Sequence, residues 1–340
     1  MELGITTFAE TYPDPATGET IGHGERLRQV VEEAVFADQV GLDIYGVGEH
    51  HRPDFASSAP AMVLAAIAAR TTSIRLTPAV TVLSSDDPVR VYQQFATLDL
   101  ISQGRAELLV GRGSFIESFP LFGYSLEDYN DLFAEKLDLL LAIRDKTEVS
   151  WSGRFRPSLE ANRIYPRSYQ DPLPVWIGVG GTPQSVVRAA QRGLPLAVAI
   201  IGGDPERFSA LTDLYRRTLA EHGHDPADLP IAVHAHGYIA EDTQQAADEY
   251  FESYRVPMTK LGAERGWGPM TRIQFDAMRG PLGSLVVGDP DLVAAKIRRW
   301  EEILGISRFM LHISVGTLPH DDVIRSIGLL GNEVRQLLTE

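Results

Sequence analysis

The stretch GVGEHH (46–51) sets two histidines and a glutamate where an apolar segment ends. Imidazole titrates near neutrality and can pass protons, and a carboxylate beside it can orient the ring. The same residue types ligate metals or stand solvated in a turn, so three readings of these six residues stand. Further stretches also carry chemistry. AVTVLSSDDP (79–88) has small and hydroxyl residues that would let a flat ligand approach the backbone, and Ser84, Ser85, Asp86 and Asp87 equally suit capping of a following helix. VGRGSF (110–115) sets Arg112 between two glycines, a planar fork for phosphate or carboxylate with space around it, or for an interior ion pair. GVGGTPQS (178–185) opens a helix: its glycines bare backbone N–H groups, Thr182 and Ser185 add hydroxyls, and the helix dipole favours an anion. Pro183 stands where the third glycine of GxGxxG belongs, and no GKS or GKT follows, so neither a dinucleotide turn nor a P-loop is spelled. HAH (234–236) points two rings to one side of a strand, as metal ligands or as core or pocket lining. A metal-dependent barrel hydrolase built on His50, His51, His234 and His236 would also need carboxylates at strand ends, where the last strand offers His312 but no aspartate.

The elements that must position these groups follow from periodicity. Short β-branched runs predict strands over 3–8, 43–49, 74–83, 106–111, 175–180, 196–201, 231–240 and 308–314, with helical patterns between them. Eight such alternations predict a single (β/α)8 TIM barrel. A doubly wound sheet would carry a glycine-rich turn after its first strand, where this chain has AETYPDP (9–15). In a barrel, functional groups come from the C-terminal ends of strands, which is where GEHH, VGRGSF and GVGGTPQS fall. Two breaks interrupt the rhythm within one domain spanning 1–340. Residues 148–174, after strand four, read as an insertion whose aromatic residues pack. Residues 255–287, after strand seven, read as a lid-like segment whose Trp267, Phe275 and methionines could cover an apolar substrate.

Composition narrows the classes. The 340 residues, 44% hydrophobic, suffice for a large core. A net charge of -15 repels phosphate backbones and acidic membranes, so nucleic acid is not an expected partner. Without cysteine there is no disulfide, thiol nucleophile or thiolate metal site. The first residues lack the basic and apolar regions of a secretory signal, and no apolar run approaches ~20 residues, so the expectation is a soluble cytoplasmic protein without membrane contact.

Taken together, GLDIYGVGEHH, TPAVTVLSSDDPVRVYQQFATLDLISQGRAELLVGRGSF and PVWIGVGGTPQSVVRAAQRGLPLAVAIIGG resemble the bacterial luciferase-like flavin-dependent monooxygenase family, over most of residues 1–204 and again at VGDPDLVAAKI. The resemblance implies a single (β/α)8 barrel that uses reduced FMN and dioxygen to oxidise a small organic substrate through a flavin hydroperoxide. By position it implies that His50 assists proton transfer beside the flavin. It implies a non-proline cis peptide at Ala79–Val80 that sets backbone against the ring, with Phe8, Val80 and the lid keeping the pocket dry. It implies Arg112 near the phosphate end, and a phosphate grip by Gly180, Gly181, Thr182 and Ser185. Luciferase has Glu-Ser where this chain has Gly181-Thr182, which keeps a hydroxyl and loses a carboxylate. With no nicotinamide fingerprint, a separate flavin reductase is implied as a partner, and a homodimer through the helices near 59–71 and 88–102. Alternative readings are a deazaflavin-dependent dehydrogenase of the same superfamily, the hydrolase above, and a catalytically silent flavin-binding protein.

Overall fold

The computed structural model describes residues 1–339. Its barrel strands are β1 (Glu2–Thr7), β2 (Ile44–Val47), β3 (Arg75–Pro78, resumed at Thr81–Val82), β4 (Leu108–Gly111), β5 (Val175–Val179), β6 (Leu196–Ala199), β7 (Ile231–Ile239) and β8 (Arg308–His312). All are parallel, in the order β3-β2-β1-β8-β7-β6-β5-β4. The ring closes where Leu76 meets Ala106: Leu76 N–H donates to the Arg105 carbonyl at 2.8 Å, and Glu107 N–H to that of Leu76 at 2.9 Å. Each predicted strand is present within two residues of its expected ends.

Period-two alternation explains why these runs close into a barrel. Leu3, Ile5, Val233, Ala235, Phe309 and Leu311 face outward into one large core beneath the helices. The alternate residues Ala232, Ala197, Trp176 and Leu109 form a separate inner cluster. The helices follow the same logic. In Pro290–Leu304, Asp289 caps the N-terminus by accepting from Leu292 N–H, proline occupies the first turn, and left-handed Gly305 ends the helix. Its Val293, Ile297, Trp300 and Leu304, three or four residues apart, form the buried stripe, with Ala294 beside them.

The N-terminal end of the barrel is closed by charges that lie far apart in sequence. Arg308 donates to both oxygens of Glu107, at 2.6 and 3.0 Å, and to Glu2 at 2.7 Å, with its guanidinium 4.1 Å from the Trp176 ring centre. Arg75 joins Glu107 at 3.3 Å and also pairs with Glu2. Arg308→Ala leaves Glu107 buried without its main cation and is expected to cost about 3–5 kcal/mol in urea or thermal unfolding. A melt unchanged from the parent would show that this network carries no stability.

Both breaks differ in part from expectation. Residues 148–174 form an antiparallel hairpin (Glu148–Trp151 with Leu159–Arg163) whose Trp151 packs against the core as expected, whereas Tyr165 and Tyr169 are exposed. Polar groups also hold the segment. Arg167 donates to the carbonyls of Ile143 at 2.7 Å and Arg144 at 2.5 Å, and Gln170 donates to Asp99 at 2.7 Å and to the Ala106 carbonyl at 2.8 Å. Residues 255–287 are mostly regular structure rather than an irregular lid. A helix, Thr243–Glu264, runs through Pro257; a second, Arg272–Arg279, starts from a capping box at Thr271; and Val286–Gly288 pairs with β7. Pro257 cannot donate to the Ser253 carbonyl one turn earlier. The loop after β8 packs there: Thr317 N–H donates to Ser253 Oγ at 2.7 Å, and a Cβ on Gly316 would lie 2.1 Å from the Ser253 carbonyl oxygen. Phe275 is fully buried against Phe251 and Tyr254, so it belongs to the core between the helices, while Trp267 is exposed. Among the described residues no helix is long and apolar enough to cross a membrane.

Candidate active site

At the C-terminal end of β2 the GEHH turn divides its labour. His50 is buried in a cage of rings: Phe55 stacks on it at 4.3 Å between centroids, while Phe8 and Phe115 meet it edge-on at 4.6 and 4.8 Å. Its Nδ1 is buried with no partner. Glu49 does not orient this ring. It accepts from His51 Nε2 at 3.0 Å and from Val82 N–H at 2.9 Å, which ties β2 to β3. Burial, with smaller contributions from His312, His51 and Arg52, lowers the His50 pKa to about 3, so this imidazole is neutral at physiological pH.

Small residues open the space beside the cage. The Ala79–Val80 peptide is cis, and it interrupts β3. Val80 lies between β4 and β5, where a Cβ on Gly111 or on Gly178 would each meet a Val80 methyl at 2.8 Å. On the other side, a Cβ on Gly46 would lie 3.2 Å from that of Ala79, and one on Gly48 would lie 2.2 Å from the Phe8 ring. These glycines are therefore required by close approach.

Beyond them, VGRGSF and GVGGTPQS come together. Arg112 donates to Thr182 Oγ1 at 3.2 Å and to Asn130 Oδ1 at 2.8 Å, and its guanidinium lies 5.0 Å from the Tyr129 ring centre. Thr182 occupies the N-cap of Pro183–Gln191 but makes no side-chain cap bond. The Ser185 hydroxyl in the first turn is buried with no partner, and so is Nη1 of Arg188 one turn on. Gly181 has φ +109°, and nothing lies within 4 Å of a Cβ built on Gly180. Cationic nitrogens, free hydroxyls and a helix N-terminus thus share one spot, which can hold an anion. Asp87, by contrast, is a cap: it accepts from Val89 and Arg90 N–H.

The HAH pair lines the barrel interior with His312. His234 shares a 2.8 Å hydrogen bond with Thr6 Oγ1, and His236 meets His312 edge-on at 5.2 Å. His50, His51, His234 and His236 do not converge as ligands, and among the described residues no three His, Asp or Glu side chains do. Burial lowers His234 to about 3 and His236 well below its ordinary value. With His50 these rings stay neutral in the fold while the unfolded chain takes up protons below about pH 6.5, so each is expected to remove up to about 1.4 kcal/mol of stability per pH unit on acidification. Unfolding midpoints measured between pH 7 and 4 should fall accordingly, and less steeply in His234→Gln.

Of the cage the sequence marks Phe8 alone, and the carboxylate it sets beside two histidines orients the second of them, His51. Phe55 and Phe115 sit in irregular loops with no period to mark them.

A family model described as luciferase-like monooxygenase matches residues 1–307. The chain belongs to that family. Its members are oxidoreductases, and they include FMN-dependent monooxygenases and F420-dependent dehydrogenases. The chain is 25% identical to the alkanal monooxygenase alpha chain of Photobacterium leiognathi, over 74% of this chain and 72% of that one. It is 27% identical to the F420-dependent glucose-6-phosphate dehydrogenase of Kribbella flavida, over 84% and 88%. Among solved structures it is similar in fold to monooxygenase RslO1 from Streptomyces bottropensis, with TM-score 0.85 and 24% identity over 99% of both chains. It is also similar to the oxygenating constituent of 3,6-diketocamphane monooxygenase from Pseudomonas putida in complex with FMN, with TM-score 0.78 and 19% identity over 99% and 98%.

Proposed function

We propose that this luciferase-like protein is an FMN-dependent monooxygenase that takes reduced FMN and dioxygen and oxidises a small organic substrate. The observation that carries the reading is the meeting of Arg112 with Thr182 and the unpartnered Ser185 hydroxyl, across a glycine-lined mouth from a neutral, caged His50. FMN fits these residues. A phosphate matches the free donors at one end, and a flat ring matches the Ala79–Val80 backbone, which is seated where Gly111 and Gly178 make room for the Val80 side chain. When bound, reduced flavin supplies the electrons that activate dioxygen. Arg112, Thr182, Ser185 and the N–H groups of Gly180 and Gly181 would hold the phosphate. The backbone at Ala79 and the side chain of Val80 would lie toward the ring. His50, with Nδ1 free, holds or accepts a proton, and Phe8, Phe55 and Phe115 keep water from it. A separate reductase supplies the reduced flavin. Two copies pair across helices Pro60–Ala68 and Pro88–Ser102, where Met62, Leu100 and Ile101 are exposed.

One observation favours a second reading, a deazaflavin-dependent dehydrogenase. An open groove lined by Gln184 and Arg188, with Arg192 at its end held by Asp138 at 2.6 Å, runs along Pro183–Gln191 from the anion spot, and Arg188 there would suit a coenzyme with a longer anionic tail. Titration with FMN and with F420, combined with oxygen uptake over aldehydes, alkanes and sulfur compounds, separates the two. Tight FMN binding with substrate-dependent oxygen uptake is expected. Preference for F420 with no oxygen uptake would overturn the monooxygenase reading.

A further inference from the structure

By strand order, the loops after β1 and β8 lie across the ring from β4 and β5, and so from the anion spot. Between them opens a cavity of about 210 Å³. That is less than the roughly 300–1,000 Å³ of pockets for drug-sized ligands, so it would hold one end of a molecule. Glu10 lines it and is 5% exposed, with its carboxylate accepting from His312 Nε2 at 2.6 Å and from Ser314 Oγ at 3.2 Å. Tyr12 lines it as well, 3% exposed, with its hydroxyl lacking any partner. Ile21, Leu318 and Val323 give it an apolar wall. His312, behind Glu10, meets Phe8 edge-on at 4.3 Å, and Phe8 meets His50 at 4.6 Å, so two rings lie between the wall of this cavity and His50.

The charges select the ligand. Glu10, Asp14 and Glu19 line the cavity as carboxylates. Its buried cation, Arg26, already donates to both oxygens of Glu33, at 2.5 and 3.2 Å. His320 rests on Glu32 and Glu33 at 3.3 and 3.4 Å, and Lys260, beside the Tyr12 ring, is held by Asp54 at 2.6 Å. No cation there is left for an anionic ligand, while carboxylates line the space and the Tyr12 hydroxyl lies buried in its wall without a partner.

We propose that this cavity takes the polar end of the organic substrate, that Glu10 anchors it, and that the ligand is a neutral or cationic molecule presenting an O–H or N–H donor, not a carboxylate or sulfonate. Its role toward a flavin rests on the function proposed above; its ligand preference does not. Ligand-observed NMR with benzylamine, benzyl alcohol, benzoate and benzenesulfonate tests it. Benzylamine and benzyl alcohol are expected to bind, with benzoate and benzenesulfonate silent. Glu10→Gln should weaken benzylamine about tenfold or more. Equal binding of benzoate and benzylamine, no binding of any probe, or an unchanged benzylamine affinity in Glu10→Gln would overturn the assignment. The amine-against-benzoate contrast on the unaltered chain needs no variant and stands if Glu10→Gln fails to fold. An FMN titration of the same sample keeps the two ideas apart, since absent flavin binding with the contrast intact removes only the flavin reading.

Discussion

His50→Ala is expected to lower kcat about 10²- to 10⁴-fold, the range of a positioned acid–base group, while the FMN dissociation constant stays within about twofold because no charge is lost. The reason is the cage. With a pKa near 3 the imidazole carries no charge at working pH, so its removal takes away a proton-handling nitrogen and not an ionic contact with the cofactor. Phe8, Phe55 and Phe115 leave the ring little freedom, which fixes the direction of its unpartnered Nδ1. Two measurements separate this from a packing role. The pH profile of kcat/KM should show no inflection from His50 between pH 5 and 8, and Phe in place of His should restore stability but not turnover. A His50→Ala enzyme as fast as the parent would remove this residue from the chemistry.

Arg112→Ala should have the opposite signature. It removes a cation from the anion spot while leaving the His50 cage intact, so flavin affinity falls and the chemical step survives at saturating flavin. A charge-assisted hydrogen bond of about 1.5–3 kcal/mol corresponds to a rise in dissociation constant of about 10- to 150-fold. Two geometric details shape the expectation. Arg112 also holds Thr182 at 3.2 Å, so the variant frees that hydroxyl and part of the loss is disorder of the loop. Arg188 stands by with an unpartnered Nη1, so residual phosphate binding should weaken with salt and vanish in the Arg112→Ala/Arg188→Ala pair. Fluorescence titration of FMN at two ionic strengths checks both. Unchanged affinity in Arg112→Ala would place the phosphate elsewhere.

The barrel was legible in the sequence because each strand announces itself twice, through β-branched composition and through alternation between two unlike surroundings. HAH shows this well: Val233 and Ala235 face the outer core, while His234 and His236 face inward. The stretches that meet at the mouth were legible for a related reason, since each directly follows a strand. What sequence concealed depends on contacts between distant residues. Arg308 and Glu107 are 201 positions apart and close the barrel floor; Glu10 and His312 are 302 apart. No local pattern links such pairs. The segment 255–287 misled for a different reason. Its Gly, Pro and Met content resembles a loop, yet Pro257 sits inside a helix whose turn packs against the loop around Gly316. The glutamate of GEHH does orient an imidazole, but which of the two is set by the turn, whose neighbours need not face each other: Glu49 reaches past His50 to His51 and β3.

The most direct measurement is a crystal structure of the FMN complex. The account requires the phosphate within hydrogen-bonding distance of Arg112, Thr182 and Ser185, and the ring lying between Val80 and His50. A phosphate bound away from Gly180 to Ser185, or a ring outside the C-terminal mouth of the barrel, would contradict it.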